Sequence, residues 1–186
     1  MSQNLLHALP IAGAFVAQST PRGDARGSFM RLFCADDFAE AHGARQIVQI
    51  NWSHTVLPGT VRGLHFQQGD AADAKWVRCL EGRVWDVIVD LRPASATFMQ
   101  WQAVELAADN GKAVFIPEGC AHGFLCLEPD SGLLYLHTAF YNPAAERGVA
   151  YNDPQLAIAW PREVSLLSER DRALPSVQTW LGEPER

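Results

Sequence analysis

Residues 59–82, GTVRGLHFQQGDAADAKWVRCLEG, and residues 111–126, GKAVFIPEGCAHGFLC, decide the fold. Both stretches have the layout of strands joined by tight turns, with Gly, Pro and Glu-Gly as punctuation. In the first, five residues separate Gly59 from His65, and Lys75 stands seven positions before Gly82. In the second, five residues separate Gly111 from Pro117, Gly119 follows, and His122 closes the pattern.

These spacings resemble the two motifs of the cupin superfamily, in which histidines and a carboxylate bind a divalent ion. The departures lie at the ligand positions. Gln67 stands where the second His of the first motif would be, and Lys75 where the carboxylate would be. A charged ammonium has donors and no lone pair, so it cannot ligate a cation and repels one. A fixed positive charge instead suits a developing anion. The resemblance implies an all-β, cupin-type jelly-roll β-barrel with short peripheral helices, with no residue assigned to a metal.

Working outward, turn signals recur about every ten residues from Gly59 to Tyr141, the rhythm of a sandwich or barrel and not of α/β alternation. Strands are expected near 60–66, 74–80, 82–90, 98–105, 112–117, 122–128 and 132–141. Upstream, residues 1–20 read as an edge strand or an arm on a partner subunit, 21–27 as a turn, 28–34 as a strand and 35–43 as a short helix stopped by Gly43. The run 45–53 is β-rich, with Gln49 and Asn51 on one face because side chains alternate across a strand. Downstream, LAIAWP (156–161) reads as a last strand, SLLSERD as a short helix or turn, and 173–186 as an exposed tail. No linker interrupts the 186 residues, so residues 1–186 are expected to form one domain.

Composition narrows the function. Hydrophobic residues make up 48% and charged residues 19%, enough for a sizeable core. A net charge of -6 argues against a nucleic-acid groove. No apolar run approaches the ~20 residues that span a bilayer, and no secretory signal pattern opens the chain. A cytoplasmic location is therefore expected, without membrane or nucleic-acid partners. Cys34, Cys79, Cys120 and Cys126 form no C-x-x-C pair, and the last three lie in apolar runs typical of buried free thiols.

Further matches run in register along the chain: D-x-RG-x-F (Asp24 to Phe29), Q-x-N-x-S (Gln49 to Ser53), RGLHFQ (Arg62 to Gln67), K-x-VR (Lys75 to Arg78), DVIVDLR-x-x-S-x-TF (Asp86 to Phe98), IP-x-G-x-AHGF (Ile116 to Phe124), the pair Tyr135 and Tyr141, and ER-G-x-x-YNDP (Glu146 to Pro154). Together they resemble the dTDP-4-dehydrorhamnose 3,5-epimerase family. The resemblance implies a cofactor-free enzyme, usually a homodimer, acting on a dTDP-linked 4-keto-6-deoxyhexose. A C4 ketone acidifies the C3 and C5 protons, so inversion needs a base, an enolate stabiliser and an acid on the opposite face.

The resemblance places His65 as the base and Asp171 as the carboxylate that fixes its tautomer and stabilises the imidazolium, as in a catalytic triad. An imidazole titrates near neutrality, which suits proton abstraction. Ser168 to Asp171 is equally a helix-capping pattern. Lys75 is expected to hold the C4 oxygen, with His122 helping to place it. Tyr135 is the expected acid and Tyr141 a binding or stacking residue. Diphosphate calls for guanidinium groups, for which Arg62, Arg26 and Arg170 are the candidates; Phe29, Gln49, Asn51 and Glu146 are expected nucleotide or sugar contacts. Two departures from the family pattern stand out. Arg31 replaces a common Glu near the nucleobase, and the loop QGDAADA after Gln67 is an unusual version.

Other functions fit parts of the pattern. A 3-epimerase would use the same base. A nucleotide-sugar 3,4-ketoisomerase would share the fold with a more His-rich pocket. A metal-dependent cupin would use His65 and His122 as ligands. A sugar-binding cupin would bind without proton exchange.

Overall fold

The computed structural model describes residues 4–182. Its strands are β1 (Asn4–Ala8), β2 (Phe15–Ser19), β3 (Arg22–Asp24), β4 (Gly27–Phe29), β5 (Gln49–Thr55), β6 (Val61–Gln67), β7 (Lys75–Glu81), β8 (Arg83–Asp90), β9 (Trp101–Ala107), β10 (Lys112–Ile116), β11 (Cys120–Cys126), β12 (Ser131–His137) and β13 (Glu146–Gly148). Three short helices, α1 (Ala39–His42), α2 (Glu169–Arg172) and α3 (Val177–Leu181), lie outside the sheets. A six-stranded sheet runs β1-β2-β10-β7-β12-β5 and a five-stranded sheet runs β13-β6-β11-β8-β9. Every ladder within these two sheets is antiparallel. This is the expected all-β jelly roll with peripheral helices.

Period-2 alternation explains what each sheet buries. On β7, Val77 and Cys79 enter the space between the sheets, while Trp76 packs on the outer face with Phe38, Phe115 and Leu136. On β8, Val84 and Ile88 point inward, while Val87 and Val89 face outward. The closed half of the interior is thus apolar, with Val16, Val114, Phe124 and Leu133 joining from both sheets. The same inward positions at the other end carry polar groups, and there the barrel opens.

Several local expectations change. Residues 21–34 are not a turn followed by a strand: β3 and β4 form a small hairpin, and 30–34 leave the ladder. LAIAWP is not a strand. Leu156, Ile158 and Trp160 do alternate inward, onto the outer face of the five-stranded sheet, but Ala157 has φ 46 and no ladder forms. Alternating burial without backbone pairing imitates a strand in sequence. The tail is not wholly exposed, since α3 buries Val177 and sets Trp180 edge-on to Phe66 at 5.5 Å. Residues 1–20 include two strands, β1 and β2, at the edge of the larger sheet; residues 1–3 and 183–186 lie outside the described residues. The strand expected to reach Tyr141 ends at His137, so Tyr141 sits in the following loop.

Candidate active site

The open end of the barrel is a cavity of about 910 Å³, walled by both sheets and closed on one side by residues 166–171. His65 on β6 faces into it. Its Nε2 lies 2.8 Å from Asp171 Oδ1. Asp171 arrives on α2, where Ser168 caps the helix by accepting from the Asp171 N–H. The capping and pairing readings of this segment are therefore both realised: one residue's backbone is capped and its carboxylate is turned to the histidine. The Gly63 N–H donates to the other carboxylate oxygen at 3.2 Å. Gly63 has φ 120, and a Cβ there would lie 2.7 Å from Gly123 Cα, so only glycine brings β6 this close to β11. Burial raises the Asp171 carboxyl, but the His65 and Gly63 hydrogen bonds and the His65 charge outweigh it and hold it below its ordinary value.

Directly across the β6–β11 ladder from His65 is His122. Its Nε2 lies 2.7 Å from Asp86 Oδ2 on the neighbouring strand β8. Asp86 is fully enclosed, and its Oδ1 has no hydrogen-bond partner among the described residues. Burial pushes this carboxyl above its ordinary value, against the opposing pull of His122 and Lys75.

The facing sheet supplies the rest of the wall. Lys75, Tyr135 and His137 line the cavity from β7 and β12, with Gln49, Asn51 and Ser53 beside them on β5. The Tyr135 hydroxyl is 3.1 Å from Ser53 Oγ. Burial raises the Tyr135 phenol well above its ordinary value, more than the Ser53 hydrogen bond lowers it. This keeps the phenol protonated. The Tyr141 hydroxyl donates to Glu146 Oε2 at 2.7 Å, and Arg170 pairs with Glu146 Oε1. The same Glu146 oxygen is 3.8 Å from His65 Nδ1. Burial raises the Glu146 carboxyl, and Tyr141 and Arg170 together hold it below its ordinary value.

Arg62 lines the cavity with its guanidinium set by Thr55 Oγ1 and the His54 carbonyl, each at 3.0 Å. Gln67, at the vacated ligand position, donates to the Ala71 and Phe140 carbonyls and accepts from the Asn142 N–H. It staples two loops. Among the described residues no group of three or more His, Cys, Asp and Glu is arranged to hold a metal ion.

Of the expected site residues, His65, Asp171, Lys75, Tyr135, Gln49, Asn51, Arg62, His122, Tyr141, Glu146 and Arg170 line this cavity. Arg26 and Phe29 do not. They lie on the β3–β4 hairpin, where Arg26 is 90% exposed and paired with Asp24, and Phe29 is 69% exposed. Arg31 pairs with Asp37 at 3.3 Å, also outside the cavity. Sequence reasoning missed Asp73, Asp86, Ser53 and His137. Strand periodicity held a signal for three of them: Asp73 is two residues before Lys75, His137 two after Tyr135 and Ser53 two after Asn51.

Comparison with known proteins places the chain among its relatives. The family model for dTDP-4-dehydrorhamnose 3,5-epimerase matches residues 8–179. The dTDP-4-dehydrorhamnose 3,5-epimerase of Shigella flexneri is 43% identical over 150 residues, 80% of this chain and 82% of that protein. The dTDP-4-dehydrorhamnose 3-epimerase of Streptomyces niveus is 41% identical over 168 residues, 90% of this chain and 81% of that one. The crystal structure of the Legionella pneumophila 3,5-epimerase in complex with dTDP-4-keto-L-rhamnose superposes with TM-score 0.89 at 37% identity, covering 94% of this chain and 93% of that one. The chain belongs to the dTDP-4-dehydrorhamnose 3,5-epimerase family.

Proposed function

We propose that this cavity epimerises a dTDP-linked 4-keto-6-deoxy sugar at C3 and C5, with the labour divided between its two walls. His65 removes the proton next to the C4 ketone. Asp171 holds the His65 tautomer and stabilises the imidazolium that forms. The electron pair moves onto the C4 oxygen, where Lys75 meets the developing charge. Tyr135 then delivers a proton to the other face of the carbon. One observation carries this division: the base stands on the five-stranded sheet and the phenol on the six-stranded sheet across the cavity. Inversion needs donor and acceptor on opposite faces of one carbon, and facing sheets provide them. No metal enters the scheme, because Lys75, at the position a ligating carboxylate would take, supplies the positive charge.

Arg62 and Arg170 flank the cavity as diphosphate ligands, with Gln49, Asn51 and Tyr141 on the sugar or nucleotide and His122 steering the keto oxygen. Arg26 and Phe29 protrude from this chain's own site, so their part in binding would be played in a homodimer. Their hairpin pairs with neither large sheet, which fits an element that reaches a second subunit. The cytoplasmic location read from the sequence belongs to the same proposal. Among the described residues no helix is long and apolar enough to cross a membrane.

Incubation with dTDP-4-keto-6-deoxyglucose in deuterium oxide, followed by NMR, tests the reaction. Deuterium at both C3 and C5, abolished in His65→Ala, is the expected outcome. Deuterium at C3 alone would make the enzyme a 3-epimerase, a reading favoured by the similarity to the Streptomyces niveus 3-epimerase. Binding without exchange would overturn the catalytic assignment.

A further inference from the structure

The cavity holds another carboxylate–imidazole pair, on the wall opposite His65. Asp73 and Lys75 lie two residues apart, and His137 is the cross-strand partner of Lys75 in the β7–β12 ladder. Asp73 is nearly fully buried. Its Oδ2 lies 2.6 Å from His137 Nδ1, and its Oδ1 accepts the Thr138 and Ala139 N–H groups at 3.0 and 3.1 Å. The Lys75 ammonium is 3.6 Å from that same Oδ2, which is beyond hydrogen-bonding distance. Asp73 therefore attracts Lys75 without bonding it, while His137 takes the closer place on the oxygen that the two share.

We propose that Asp73 and His137 are positioning residues that tether Lys75 at the cavity wall while leaving its ammonium free for the substrate's keto oxygen. A cation beside no carboxylate would swing freely on its four-carbon stem. A cation bonded to one would have to break a charge-assisted contact before meeting the enolate. The intermediate arrangement avoids both. Releasing Lys75 toward substrate strands nothing, since Asp73 keeps three other donors. Asp73 is the penultimate residue of the QGDAADA loop, whose unusual sequence thereby acquires a task. The proposal builds on the epimerase activity of this cavity.

The test uses shape-matched substitutions. His137→Leu removes the Nδ1–H donor, so Lys75 closes onto Asp73; kcat is expected to fall about tenfold, with KM for the sugar little changed. His137→Asn, equal in shape to Leu, keeps a donor near the Nδ1 position and is expected to restore most of the lost kcat. Asp73→Asn placed in the His137→Leu background removes the trap and should raise kcat again. Losses that simply add in the double variant, or a His137→Asn enzyme as slow as the His137→Leu one, would overturn the proposal. If His137→Leu does not fold, Asp73→Glu carries the test: the longer carboxylate reaches Lys75, and an unchanged kcat would count against the tether. Wild-type turnover lost in His65→Ala concerns the epimerase function itself and is scored separately from this pattern.

Discussion

His65–Asp171 and His122–Asp86 are two pairs of the same chemistry on neighbouring strands, yet the chain treats them oppositely. His65 is 28% exposed and looks into the cavity, whereas His122 is 7% exposed beside a fully enclosed Asp86. Asp171 collects donors on both oxygens and is held ionised; Asp86 has one oxygen without a partner and is pushed toward its neutral form. A carboxylate can assist a base only if it carries its charge, and it carries charge only where donors replace the water it lost. Donor supply, more than the identity of the pair, separates the proposed proton-transfer pair from its neighbour.

The sharpest way to break this comparison is at the residues proposed to react. His65→Ala should reduce turnover on the order of 10³-fold, and Asp171→Asn on the order of 10²-fold, both measured with dTDP binding intact. Asp86→Asn should depress turnover less than Asp171→Asn; an equal or larger loss would make the inner pair the working one.

Stability against pH sharpens the contrast. The depressed Asp171 carboxyl stabilises the fold above its unfolded pKa of ~3.9, and that contribution is lost as pH falls through the folded value. The raised Asp86 carboxyl does the reverse. Its contribution is full below ~3.9 and is lost as pH rises through its folded value. Thermal melts of Asp171→Asn and Asp86→Asn against the wild type should diverge in opposite directions across the acid range. Parallel curves would erase the distinction.

The smallest expected effect is at Gln67. Gln67→His restores the vacated cupin ligand position but forfeits the three bonds that staple two loops. A loss of about 1–3 kcal/mol by chemical denaturation is expected, with no gain in affinity for divalent cations because Lys75 remains.

Much of this is legible in the sequence. Turn punctuation and alternation outlined the barrel, and the motif spacing placed His65 and His122 at two ligand positions of one cupin pocket. What stayed hidden depends on register. Asp86 sits in an apolar run, and only the β8–β11 ladder brings its carboxylate under His122. Asp73 and His137 are 64 residues apart, and nothing local says that a loop aspartate will close on a strand histidine. Ser53 falls within the Q-x-N-x-S match, but its place beside the Tyr135 hydroxyl follows only from the β5–β12 pairing. The misread strand at 156–161 fails for a different reason: side-chain alternation reports which way residues face, not whether their backbone is paired.

The Asp171 carboxylate comes from a helix 106 residues beyond His65. Synthesis runs from the N-terminus, and strands can begin to pair as they emerge. A nascent chain that has reached β13 already possesses every strand of both sheets, with His65, Lys75 and Tyr135, but not the carboxylate proposed to assist His65. On the proposed mechanism, catalytic competence is therefore among the last properties this polypeptide acquires. A sugar substrate present during translation would meet a formed cleft before it met an enzyme.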